Sequence, residues 1–126
     1  MAAQVVTITQ DSVEYPLQKI EWDWLSATGG AVDSDAEGWY CGKIVKVSLA
    51  SDSGGTAPTN AYDVTIEDED GLDVLCGEGA DVTAAATVYI HDPTKMLWVR
   101  SNVLTLKVAS AGDAKGGVVT MLIQPA

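Results

Sequence analysis

Residues 61–75 read AYDVTIEDEDGLDVL, and the alternation within this stretch decides the class of fold. Tyr62, Val64 and Ile66 interleave with Asp63, Thr65 and Glu67, the period of two that sets one side of a strand on a core and the other in water. At Glu69-Asp70-Gly71 the apolar pattern stops, and the Asp-Gly pair offers the positive φ that a tight turn requires. Leu72, Val74 and Leu75 resume an apolar run, so the stretch is expected to form a β-hairpin with an acidic tip.

The same alternation recurs on both sides of this hairpin. Upstream, residues 4–10 place Val6 and Ile8 on one side and read as a first strand, at an edge. In residues 19–25, Ile20, Trp22 and Trp24 face one way and Lys19, Glu21 and Asp23 the other, with Pro16 marking where the strand can begin. Residues 26–38 are small, acidic and glycine-containing and read as a surface loop. Residues 39–49 then form a strand in which Val45, Val47 and Leu49 alternate with Lys46 and Ser48, and Gly42 marks a bend or bulge. Residues 51–60 are turn material.

Downstream, residues 82–86 are the one place with helical character, Asp81 standing as cap, and helix and coil are both open there. Residues 87–90 read as a short strand and residues 91–95 as a turn. Residues 98–108 read as a strand with Leu104, Leu106 and Val108 inward, and residues 118–123 are apolar on both faces, as a central or interface-buried last strand would be. About seven or eight short strands at this spacing imply an all-β chain, an antiparallel β-sandwich of jelly-roll type. A length of 126 residues fits one domain over 1–126. Residues 1–18 serve in it as an N-terminal arm or edge strand.

A formal charge of −11 with seven basic residues argues against nucleic acid as a partner, because affinity for a phosphate backbone comes largely from lysine and arginine displacing counterions. The opening Met-Ala-Ala-Gln lacks a basic segment followed by an apolar one, and no apolar run approaches the roughly 20 residues that span a bilayer. The expectation is a soluble protein made in a cytoplasm, without a membrane partner. Cys41 and Cys76, each followed by glycine inside an apolar segment, read as small buried thiols rather than a disulfide.

No residue set stands out for chemistry. His91 is the sole histidine, in a turn beside Asp92 and Pro93, and no G-x-S-x-G nucleophile turn accompanies it. One histidine and two cysteines fall short of zinc or cupin-type metal sets. Asp68, Glu69, Asp70 and Asp73 raise the question of calcium, but placing Gly71 at the turn position of an EF-hand loop puts Ile66 and Gly77 at its first and last ligand positions, so that loop fails; a calcium site of another kind and a simply solvated acidic tip are both open. No enzyme, cofactor or metal is expected. Trp22, Trp24, Trp39 and Trp98 fit either core and subunit-interface packing or a sugar-stacking platform.

Several segments together resemble a group of small virion structural proteins of tailed bacteriophages: Trp22-Asp23-Trp24; GKIVKV at residues 42–47; TAPTNAYDVTI at 56–66; DEDGLDVL at 68–75; Gly77-x-Gly79-Ala80; and ASAGDAKGG at 109–117. The likeness covers most of the chain after Lys19. It implies a capsid decoration or cement protein on the outside of the head lattice, assembled in the host cytoplasm. It further implies the major capsid protein as partner and a homo-oligomer, commonly a trimer, without catalysis. The expected contact residues are Trp22, Trp24, Trp39 and Trp98 with Val118, Val119, Met121 and Ile123 of the apolar last strand. A neck, tail or fibre-associated virion protein and a carbohydrate-binding module are the alternatives.

Overall fold

The computed structural model describes residues 3–11 and 17–125; Pro16 lies outside the described residues. The strands are β1 (Val5–Asp11), β2 (Gln18–Leu25), β3 (Val32–Ser51), β4 (Asp63–Glu67), β5 (Val88–Ile90), β6 (Trp98–Ala109) and β7 (Gly116–Pro125). All pairings are antiparallel, in the order β1-β2-β7-β3-β6-β4, with β5 also on β3. The expected all-β, sandwich-like class is therefore the observed one.

β3 organises the sheet. Residues 32–43 pair with β6 and residues 42–51 with β7, so the strand exchanges one neighbour for the other at Gly42. Gly42 has φ +143 and lies against β7 so closely that a Cβ there would stand 2.0 Å from the Gln124 carbonyl oxygen; only glycine fits such a position. Register shifts flank it, between Glu37 and Tyr40 and between Ile44 and Lys46, and such bulges strengthen the local twist of a strand. The sheet curls over as a result. Trp24 of β2 and Tyr62, just before β4, stand far apart in strand order, yet their ring centroids are 5.8 Å apart.

β1 ends the sheet and leans toward the first half of β3, which among the described residues has no strand on that side. Three glutamine amides fill the gap. Gln4 Nε2 donates to the Asp33 carbonyl (2.8 Å) while the Asp33 N–H donates to Gln4 Oε1 (2.8 Å), as a paired residue would. Gln10 Nε2 donates to the Glu37 carbonyl (2.9 Å) and to the Tyr40 hydroxyl, and Gln18 Nε2 to the Trp39 carbonyl (3.1 Å). Part of the open edge of β3, at Asp33, Glu37 and Trp39, is thereby bonded to side chains instead of a strand.

The enclosed space is filled by one apolar cluster. Ile20, Trp22 and Trp24 from β2, Val119, Met121 and Ile123 from β7, Leu104 and Leu106 from β6, and Tyr62, Val64 and Ile66 around β4 are all at most 2% exposed. Burying a large apolar side chain fully stabilises a fold by about 1.5–3 kcal/mol, so this interior is a main contribution to holding the curled sheet together.

Three expectations are corrected, and the open choice at residues 82–86 is decided. Residues 32–38 are not loop but the first half of β3, because Val32 and Ala36 point inward while Asp33, Asp35 and Glu37 are exposed. The second arm of the hairpin is not a strand: after Glu67 it makes a single bridge, Glu67 to Asp73. Val74 and Leu75, adjacent in sequence, are both fully buried, whereas neighbours in a strand face opposite sides. Residues 82–86 are not helical; Asp81 has φ +55 and its N–H bonds back to Asp63 Oδ1 (3.0 Å). Finally, Cys76 is exposed and Cys41 half-buried rather than core thiols; both are free.

Candidate binding surface

The residues expected to make contacts fall into two groups. Trp22, Trp24, Val119, Met121 and Ile123 belong to the core, which corrects their assignment as interface: they are the inward rows of β2 and β7, each paired with the other strand. Val118 is half-buried. Trp39 and Trp98 remain outside, 57% and 68% exposed, although aromatic side chains of this size are usually covered.

These two tryptophans share the outer face of the β3–β6 ladder. Between the buried Tyr40, Gly42 and Ile44 of β3, the residues Trp39, Cys41 and Lys43 point outward. Cys41 lies opposite Arg100 and Lys43 opposite Trp98, so Arg100 and Lys43 sit on the surface between the indoles. The face continues across β7: Leu122 is paired on one side with Lys19 and on the other with Lys46. There a shallow cleft of about 250 Å³ is lined by Lys19, Lys46, Ser48, Thr120 and Leu122, and Lys46 Nζ rests 5.1 Å from the centre of the Tyr89 ring. Ion pairs among the described residues involve Lys95 with Glu78 and Lys107 with Glu67. Lys19, Lys43, Lys46 and Arg100 have no carboxylate within ion-pair distance there, although the chain carries eighteen acids.

The other half of the same strand has the opposite character. Asp33, Asp35 and Glu37 project outward from β3 beside Lys107, Thr105 and Val103 of β6. Thr105 Oγ1 donates to Asp35 Oδ1 (2.7 Å). Lys107 is paired with Glu67 at 3.1 Å, and its pKa is raised first by that hydrogen bond and charge, then by Asp33 and Asp35. Sequence reasoning missed this row because it read residues 26–38 as loop; the signal was present in the alternation of Val32, Ser34 and Ala36 with the three acids.

The acidic turn after β4 is occupied with its own backbone. Asp68 Oδ1 accepts from the N–H groups of Asp70 (2.9 Å) and Leu72 (3.0 Å). Asp73 accepts from Ile66 (3.2 Å) and Leu75 (3.1 Å) on Oδ1 and from Gly77 (2.9 Å) on Oδ2. Short carboxylate side chains favour such local bonds, and among the described residues no group of three or more potential ligands is placed to hold a metal ion. His91 is exposed beside a second shallow cleft with Glu78, Tyr89 and Lys95. Its neighbour Asp92 caps the 3₁₀ turn of Pro93–Lys95. Bonds from the Thr94 hydroxyl and N–H hold the Asp92 carboxyl below the usual range.

What this geometry can do is bind. Flat indoles, a guanidinium and lysine heads on a rigid sheet provide stacking area and directed charge. No protein-family model, no curated protein and no solved structure matches the chain.

Proposed function

We propose that this protein is a head decoration or cement protein of a tailed bacteriophage, attached to the outside of the capsid lattice as a homo-oligomer and stabilising the expanded head. The observation that carries the reading is the exposed Trp39–Trp98 face with cations that have no ion-pair partner among the described residues, set on a sheet whose interior is already filled. Exposed aromatic area of that kind marks a contact surface. The place in a virion rests on the sequence likeness, which runs through β2, β3, β4 and the turn before β7. A ligand that binds one state of a lattice and not another stabilises the state it binds by mass action, so a cement protein needs surface complementarity and no reaction.

The test is deletion of the gene. Heads without the protein are expected to lose DNA under heat, chelator or osmotic shock at stresses that complete heads survive, and purified protein added back restores them. Equal DNA retention in both overturns the cementing role. One observation favours a second reading, glycan binding: two indoles exposed on one sheet face are the geometry on which sugar rings stack. Titrating the intrinsic tryptophan fluorescence with bacterial surface polysaccharides separates the two, since a saturable change favours the glycan.

A further inference from the structure

The outward face of β3 is bipolar. One continuous strand presents Asp33, Asp35 and Glu37 at its start and Lys43 and Lys46 toward its end, with Trp39 and Cys41 at the junction. β6 extends the cationic end through Arg100 and Trp98. The acids of the first half outnumber Lys107, which Glu67 already holds, and the cations of the second half have no acid partner among the described residues. A surface in which each half lacks what the other carries is complementary to itself.

We propose that the partner of this face is a second copy of the chain, the acidic row Asp33-Asp35-Glu37 of one copy lying on Lys43, Lys46 and Arg100 of the next, with Trp39 and Trp98 covered between them. The inference rests on the reading of the protein as a self-associating surface module, and adds which surfaces meet. Charge complementarity argues for this occupant over an unrelated acidic protein: at −11 overall, copies repel one another at long range. A cationic patch on such a chain, without an acid partner among the described residues, is matched in number and opposite in sign by the three acids of its own β3. Like charges brought together at such a contact cost several kcal/mol, and opposite ones fix the register. The indoles supply the apolar area that charges alone do not.

The experiment uses purified full-length protein in solution, at low salt, with native mass and sedimentation as readouts. The natural chain is expected to self-associate, and K43E/R100E and D33K/D35K are each expected to weaken association by about a hundredfold or more. The quadruple variant, which exchanges the two signs, is expected to associate again, although neither parent does. A dimer indicates reciprocal contacts about a two-fold axis, a trimer or larger ring one-way contacts; both support the inference.

Cys41 supplies a readout that needs no mutation. It lies in the proposed seam, whereas Cys76 lies outside it and is exposed; raising the protein concentration should slow modification of Cys41 by a thiol reagent and leave Cys76 unchanged. A natural chain that stays monomeric, half-reversals that associate as before, or a Cys41 whose reactivity ignores concentration overturns the proposal. Because no particle is involved, failure here leaves the head assignment standing, and failure of the gene deletion test leaves this one standing.

Discussion

Gly42→Ala is the substitution from which the account has most to lose. The backbone there has φ +143, and a side chain in such a conformation costs about 1–3 kcal/mol. The added Cβ would also stand 2.0 Å from the Gln124 carbonyl oxygen, 2.8 Å from its carbon and 2.9 Å from Pro125 Cα. These are backbone atoms that cannot swing aside, so β7 must separate locally from β3, and forcing a methyl group into a packed site costs about 1–3 kcal/mol more. Together the two effects come to about 4 kcal/mol, which for a chain of this size lowers Tm by about 15 °C. Two companion variants separate the causes. Gly29 has φ +94 with nothing near its Cβ position, so Gly29→Ala carries only the backbone cost, about 1 kcal/mol. Gly55 has neither feature, and Gly55→Ala is expected within about 0.5 kcal/mol of the natural chain. Thermal unfolding followed by circular dichroism, with urea midpoints as a second measure, ranks the three. If Gly42→Ala melts within about 3 °C of Gly55→Ala, β3 does not pass from β6 to β7 through a contact that excludes a side chain.

The other predictions concern core, turn and alkaline stability. Trp22→Ala should cost about 3–5 kcal/mol, whereas Trp98→Ala, at a position 68% exposed, should cost less than about 1 kcal/mol; equal losses in urea unfolding would refute the division between core and surface tryptophans. Asp73→Ala removes the acceptor of three backbone N–H groups and should cost about 2–3 kcal/mol. Chelator should leave the Tm of the natural chain unchanged, and a downward shift would reveal a cation at the acidic turn. Tyr62 has its pKa raised above 10.0 chiefly by burial, with the Ser51 hydrogen bond opposing and Asp52 adding. The folded chain therefore holds that proton more tightly than the unfolded chain, so the contribution to stability is intact below pH 10 and drains away as pH rises through and above it. Tyr62→Phe should flatten the loss of stability above that pH, and an unchanged alkaline slope would contradict the assignment.

How much of this was legible in the sequence depended on whether alternation was accompanied by apolar bulk. β2, β4, β6 and β7 are written plainly, since Trp22 and Trp24, Val64 and Ile66, Leu104 and Leu106, or Met121 and Ile123 supply large side chains at every second position. The first half of β3 was missed because its inward positions hold small residues, Ser34 and Ala36 among them, and its outward ones are acids; composition resembles a loop where only pairing with β6 makes a strand. The second arm of the expected hairpin misled in the opposite direction. Leu72, Val74 and Leu75 are apolar enough for a strand, but Asp73 gathers the N–H groups on either side of it, and Cys76 and Gly77 adopt positive φ. Of the candidate contact residues, Trp39 and Trp98 were identifiable as tryptophans but not as the exposed pair. Trp22 and Trp24 look the same in a sequence, and only the bulge that precedes Tyr40 and the register with β6 place the latter indoles outward. The cations of this face, Lys19, Lys43, Lys46 and Arg100, belong to three strands and have no linear signature.

The measurement that bears most directly on the central claim is the amount of this protein in purified virions relative to the major capsid protein, by quantitative mass spectrometry. The account predicts a fixed proportion on the scale of the whole head lattice, falling when Trp39 and Trp98 are replaced by alanine in a chain that still folds. Absence from the particle, or the few copies typical of a neck or tail tip, would contradict it.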